Sequence, residues 1–142
     1  MASRPGNVQH LEINVSNLPK SSEFYEGLLT WLGYKRVVKE RDFEGWGNGD
    51  FGIWLTKCFE PWSKFGFHRR RVGLNHFAFR AESRDTVDRF YKEFLIPRRV
   101  TVLYNGPKEY PEYAPEYYAV YFEDPDRLKL EFVYSRIGGQ RE

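Results

Sequence analysis

Two histidines each stand fourteen residues ahead of a Phe-Tyr pair: His10 before Phe24-Tyr25, and His76 before Phe90-Tyr91. The two sets are 66 positions apart. A period of that length marks two copies of one supersecondary unit, each with an apolar sheet face that needs cover. The surrounding pattern repeats as well. VQHLEINVS (8–16) alternates, with Leu11, Ile13 and Val15 on one side and His10, Glu12 and Asn14 on the other. GLNHFAFRA (73–81) sets Phe77 and Phe79 against His76, Ala78 and Arg80 in the same way.

The segments after these two strands also correspond. LPKSSEFYEGLLTWLG (18–33) has Phe24, Leu28, Trp31 and Leu32 at helical spacing. Pro19 suits its first turn and Gly33 its C-terminal cap. Extended segments are expected at 34–40, 43–46 and 51–57, with turns at Gly45, Gly47, Asn48 and Gly49. In the second copy, SRDTVDRFYKEFL (83–95) is a helix capped by Ser83 and stopped by Pro97. Val87, Phe90, Tyr91, Phe94 and Leu95 form its apolar face. Strands are expected at 100–104, 116–123 and 127–134. Each copy therefore reads βαβββ: a first module over 8–57, a surface linker over 58–72 and a second module over 73–134. The proline-rich stretch Gly106–Pro115 is expected to lengthen the second module as a flap, and the tail Ile137–Glu142 to be mobile.

The 142 residues suffice for one domain with a buried core. Twelve Phe, ten Tyr and four Trp supply both core and ligand-cleft walls. A formal charge of +2 does not imply a nucleic-acid partner, and His68-Arg69-Arg70-Arg71 reads as a solvated basic run. Cys58 is alone, which excludes an intrachain disulfide and suits a reducing cytosol. No run of 18 apolar residues or hydrophobic signal core is present, so a cytoplasmic protein without membrane contact is expected.

DRLKLEFVY (126–134) alternates Leu128, Leu130 and Phe132 with Lys129, Glu131 and Val133. Glu131 thus lies on the face opposite the apolar row, as His10 and His76 do on their strands. If both apolar faces turn to their helices, the remaining faces line one cleft, where two imidazoles and a carboxylate converge. Such a set suits a divalent first-row metal and leaves positions open for substrate or water. A metal there would polarise a substrate oxygen or lower the pKa of bound water.

HLEINVSNLPKSSEFYEGLLTWLGY, NHFAF and YFEDPDRLKLEFV together resemble the vicinal-oxygen-chelate superfamily, over roughly residues 8–134. That superfamily includes glyoxalase I, fosfomycin-resistance thiol transferases, extradiol dioxygenases and bleomycin-resistance proteins. The resemblance implies an α+β fold, two βαβββ modules cupping a mixed sheet around a metal. It also implies that His10, His76 and Glu131 are the ligands of that metal, whether iron, manganese, zinc or nickel. Family members pair their modules within one chain or across a dimer, and a homodimer is expected here.

The departures narrow the chemistry. The fourth ligand position of glyoxalase I falls on Trp54, whose indole cannot replace a carboxylate. The threonine of the fosfomycin enzymes, two residues after the first ligand, is Glu12. The tyrosine that extradiol dioxygenases carry ten residues before the glutamate is matched by Tyr121, whereas their extra catalytic histidine has no counterpart. His68, in the linker, reads as a surface residue. EDPDR replaces the family's usual DPDG, so Arg127 is expected in a turn with no positive φ. The expected function is a metal-dependent enzyme on a small oxygenated substrate, as a lyase, isomerase, transferase or dioxygenase. Glu12 or Tyr121 would move the proton, and Trp54, Asn14, Tyr117 and Arg80 would contact substrate. The alternative is a metal-free protein that sequesters an aromatic drug, as bleomycin-resistance members do.

Overall fold

A computed structural model describes residues 4–136, so the tail Ile137–Glu142 lies outside the described residues. The chain forms two compact units, Met1–Gly66 and Phe67–Glu142. In the first, β1 (His10–Val15) leads into α1 (Leu18–Trp31), then β2 (Lys35–Lys39), β3 (Phe43–Gly47) and β4 (Gly52–Lys57). In the second, β5 (His76–Arg80) leads into α2 (Arg84–Phe90), then β6 (Val102–Glu109), β7 (Tyr118–Glu123) and β8 (Lys129–Tyr134). The two sheets share one order, β1-β4-β3-β2 and β5-β8-β7-β6. In each, the first and last strands run parallel and the other pairs antiparallel. The architecture is α+β, as the repeat requires.

Local chemistry sets the helix ends. Asn17 caps α1, its side chain accepting the Lys20 amide at 3.1 Å, and Gly33 leaves the helix at φ 89°. The buried stripe of α1 is Leu18, Ser21, Ser22, Tyr25, Leu28 and Leu29. That is one position round from the expected face, because Tyr25 rather than Phe24 is wholly buried. Ser21 and Ser22 are small enough to lie against the sheet. Ser22 donates to the buried Glu44 carboxylate at 2.5 Å, and Arg36 reaches the same oxygen at 3.5 Å.

Ser83 caps α2 through the Thr86 amide at 3.1 Å, as expected. The helix then widens into a π turn, Tyr91–Leu95, closed by the Ile96 amide on the Tyr91 carbonyl. Phe94 and Leu95 are both buried in that turn. Phe90 organises the second core, with ring centroids at 4.8 Å from Phe132, 5.2 Å from Phe94 and 5.3 Å from Phe122.

Three more expectations fail. Gly45 and Gly47, expected in turns, lie within β3 and pair with Trp54 and Gly52 of β4. The flap expected over Gly106–Pro115 does not begin at Gly106, because β6 continues to Glu109 beyond a bulge between Leu103 and Lys108. The next residue, Tyr110, is buried and its amide bonds the Tyr117 carbonyl at 2.9 Å. Arg127 does adopt a positive φ, 66°. The Asp124 side chain accepts the amides of both Asp126 and Leu128 at 2.8 Å, and the Arg127 amide bonds the Asp124 carbonyl. That network fixes a turn with a left-handed fourth residue, whatever side chain stands there. Replacing Arg127 by glycine should therefore stabilise the protein by about 0.5–1 kcal/mol, read from urea unfolding midpoints at constant m.

Candidate functional site

In the second unit, β8 lies beside β5 with Glu131 opposite Ala78 and Lys129 opposite His76. This register brings two of the three expected ligands into contact. His76 Nε2 lies 3.1 Å from Glu131 Oε2. Glu131 is 1% exposed, so its charge has almost no water to solvate it. Side chains take over that task. Tyr117 donates its hydroxyl to Glu131 Oε1. Tyr121 is the cross-strand partner of Glu131 and stands on the same face of the sheet. Its ring also meets the His76 ring edge-on, at 5.7 Å between centroids.

His76 has its other nitrogen engaged. Nδ1 is 2.6 Å from the Asn75 side-chain oxygen. An amide oxygen therefore faces one ring nitrogen and a carboxylate oxygen the other. A neutral imidazole carries one N–H, and the Asn75 contact places it on Nδ1. The Nε2 lone pair then faces Glu131, an arrangement that a bound cation would complete.

The tyrosines around this acid hold their protons. Burial, then the Glu131 hydrogen bond, pushes Tyr117 up to about 12. Burial, then the charge of Glu131, raises Tyr121 further. Burial takes Tyr110 up to about 12, and burial with the Asp88 bond does the same for Tyr118. A phenol that binds its proton more tightly when folded stabilises the fold below its unfolded pKa near 10. That stabilisation is lost as pH rises from about 10 towards 12, so unfolding midpoints should be flat from about pH 8 to 9.5 and fall above it. Phenolate absorbance should appear in the unfolded protein before the folded one.

In the first unit, His10 is on β1 and exposed, and its Nδ1 contacts the Gln9 side-chain oxygen. Gln9 and Asn75 thus do the same job at equivalent places, which the histidine spacing alone did not single out. The signal was in the sequence: a carboxamide residue precedes each histidine, 66 positions apart. Glu12 is exposed and accepts the Thr56 hydroxyl, while Asn14 ends the same row. Arg80 is exposed at the end of β5, on the His76 row. Among the described residues no group of three or more His, Cys, Asp or Glu side chains is gathered to hold a metal ion. The assembled element is the His76–Glu131 pair, with His10 in the other unit.

Trp54 occupies the first-module position that Glu131 holds in the second: it pairs with Glu12 as Glu131 pairs with Ala78. Its cross-strand partner is Gly45, where the second module has Tyr121. The indole lies over bare backbone. A Cβ at Gly45 would come within 2.5 Å of Trp54 Nε1, and one at Gly52 within 2.0 Å of Cζ3. The His10 ring meets the indole edge-on at 5.7 Å. Beside it opens a cavity of about 340 Å³, walled by Trp54, Phe51, Val37 and Gln9. Gly52→Ala should displace the indole and cost about 1–3 kcal/mol, with a change in tryptophan emission that vanishes in a Trp54→Phe background. Gly47→Ala, where the nearest atom to a new Cβ is 3.7 Å away, is the silent control.

Residues 7–132 match the family model described as the Glyoxalase/Bleomycin resistance protein/Dioxygenase superfamily. The chain is 38% identical over 126 residues to the uncharacterised protein YqjT of Bacillus subtilis strain 168, covering 89% of this chain and 97% of that one. Among solved structures it is similar to a candidate glyoxalase from Bacillus halodurans, with TM-score 0.82 and 35% identity over 91% of this chain and 96% of that one. A lactoylglutathione lyase from Agrobacterium tumefaciens shares the fold, with TM-score 0.68 and 20% identity over 96% of this chain and 98% of that one.

Proposed function

Because the chain belongs to the glyoxalase/bleomycin resistance protein/dioxygenase superfamily, we propose that it is a metal-dependent enzyme acting on a small oxygenated substrate. The resemblance to that superfamily implies a divalent metal. His10, His76 and Glu131 are the ligands in this reading, and iron, manganese, zinc and nickel all suit two imidazoles with one carboxylate. The observation that carries it is the 3.1 Å approach of His76 Nε2 to a buried Glu131 oxygen, with Nδ1 already held by Asn75. That donor set fits a cation: a lone pair and an anionic oxygen face each other, and a neighbouring amide fixes the tautomer. A metal bound there would act as a Lewis acid on one or two adjacent substrate oxygens.

The chain's own groups supply the rest. Tyr117 holds Glu131 in one orientation. Tyr121 offers a hydroxyl that stays protonated well into the alkaline range, and so can donate a hydrogen bond to a substrate oxygen. Glu12, steadied by Thr56, is the proton acceptor. Trp54, Asn14, Tyr117 and Arg80 are the substrate contacts in this reading, and the cavity beside Trp54 supplies room for a non-reacting part of the substrate in the first unit. Lyase, isomerase, transferase and dioxygenase chemistry are all served by this set. The walled cavity also supports a second reading, a metal-free protein that sequesters an aromatic ligand against Trp54.

Elemental analysis of untagged protein distinguishes the two. The enzyme reading expects near-stoichiometric divalent metal, lost in His76→Ala and Glu131→Gln and weakened about 10–100-fold in Asn75→Leu. Failure to bind metal at micromolar concentration, with saturable uptake of an aromatic probe such as indole, would instead establish the sequestering reading.

A further inference from the structure

The basic run that reads as solvated surface in the sequence lines a surface concavity. Phe67, His68, Arg69, Arg70 and Arg127 line a space of about 90 Å³ in the second unit. We propose that this cavity is a binding site for a phosphate group, free or as a small phosphomonoester, separate from the His76–Glu131 pair.

Charge is the first argument. Three arginines line the space, and two of them meet one acid, Glu123, which is 8% exposed. Arg69 Nη1 bonds Glu123 Oε1 at 2.8 Å, and Arg127 Nε lies 3.6 Å from Oε2. That single carboxylate leaves the cluster with a surplus of positive charge. Among the described residues no acid forms an ion pair with Arg70. Three like charges around one small space repel each other unless an anion joins them. Guanidinium donors match tetrahedral oxyanions in geometry and pair with them through two parallel bonds. His68 adds a donor: its Nδ1 accepts the Arg70 amide at 3.1 Å, so its ring proton is on Nε2.

Backbone strain is the second argument, and it is independent of the first. Arg127 stands at φ 66°, where glycine is at ease and a long side chain is not. Such conformations persist where the surroundings hold them, as the Asp124 network does here, and they cluster at ligand clamps. The ion pair with Glu123 is a weak reason for keeping it, since the Arg127 side chain is 76% exposed and such pairs contribute little. Phosphate recognition accounts for an arginine at a glycine position. The space has room for one tetrahedral anion, and any organic part of the ligand would extend into solvent.

Calorimetric titration of the full-length protein with sodium phosphate and with phenyl phosphate, against sodium chloride at matched ionic strength, tests this. One site per chain is expected, with Kd of about 1 mM or tighter for at least one of the two. Tighter binding of phenyl phosphate identifies a phosphomonoester as the natural ligand class, and binding of inorganic phosphate alone identifies the free ion. Arg70→Ala and Arg127→Gly should each weaken binding by about tenfold or more, while Arg89→Ala, on the surface of α2, should not. Arg127→Gly is the decisive variant because it should melt higher than wild type in the absence of phosphate, so lost binding cannot come from a damaged fold. No saturable binding, or equal weakening in Arg89→Ala, overturns the proposal.

Discussion

A carboxylate with almost no water around it governs the second half of this molecule. Burying Glu131 would be costly if its oxygens were left to themselves. The Tyr117 hydroxyl donates to one oxygen, Tyr121 stands across the strand pair from the acid, and His76 on the parallel strand meets the other oxygen. Their positions depend on register, since Tyr121 is the cross-strand partner of Glu131 and His76 lies two residues before Ala78, its partner on β5. The cost of burial thus becomes an organising force, because each of these neighbours must keep one rotamer to flank the acid. A site of that kind is pre-organised before any ligand arrives.

The two modules show how one backbone supports different surfaces. Their strand orders and parallel pairings are the same, yet equivalent positions carry Glu131 with Tyr121 in one and Trp54 with Gly45 in the other. The exchange is coupled: a flat indole on the sheet requires bare backbone beneath it, and the chain places glycine at both points of closest approach. An acidic, hydrogen-bonded surface in one module is matched by an aromatic, walled cavity in the other.

Much of this was legible in the residues. Period-two alternation fixed which side His10, His76 and Glu131 would take, because a strand side chain has only two faces to choose from. The 66-residue repeat carried the βαβββ order twice. Less legible was anything decided by a contact between distant segments. The α1 stripe turned by one position because Tyr25 and two serines fit the sheet better than Phe24 and its neighbours did. Arg127 misled for a related reason: its conformation is set by the Asp124 side chain, and a rule about glycine at that one position carries no information about the network. The partners of the histidines escaped notice although they are adjacent in sequence. Gln9 and Asn75 become meaningful only once a ring nitrogen is seen to need an acceptor.

Asn75 also joins two parts of the second unit that otherwise look separate. Its oxygen holds His76 Nδ1, while its nitrogen donates to the Arg69 carbonyl at 3.4 Å. Arg69 in turn bonds Glu123, the acid of the arginine cavity. A carboxamide has a fixed angle between its two ends, so a shift of the Arg69 backbone would turn the oxygen that sets the His76 tautomer. The bond to Arg69 is long and therefore weak, which makes it the point in the relay where such a shift would be absorbed or transmitted. Asn75 therefore places the arginine cavity one side chain from the histidine.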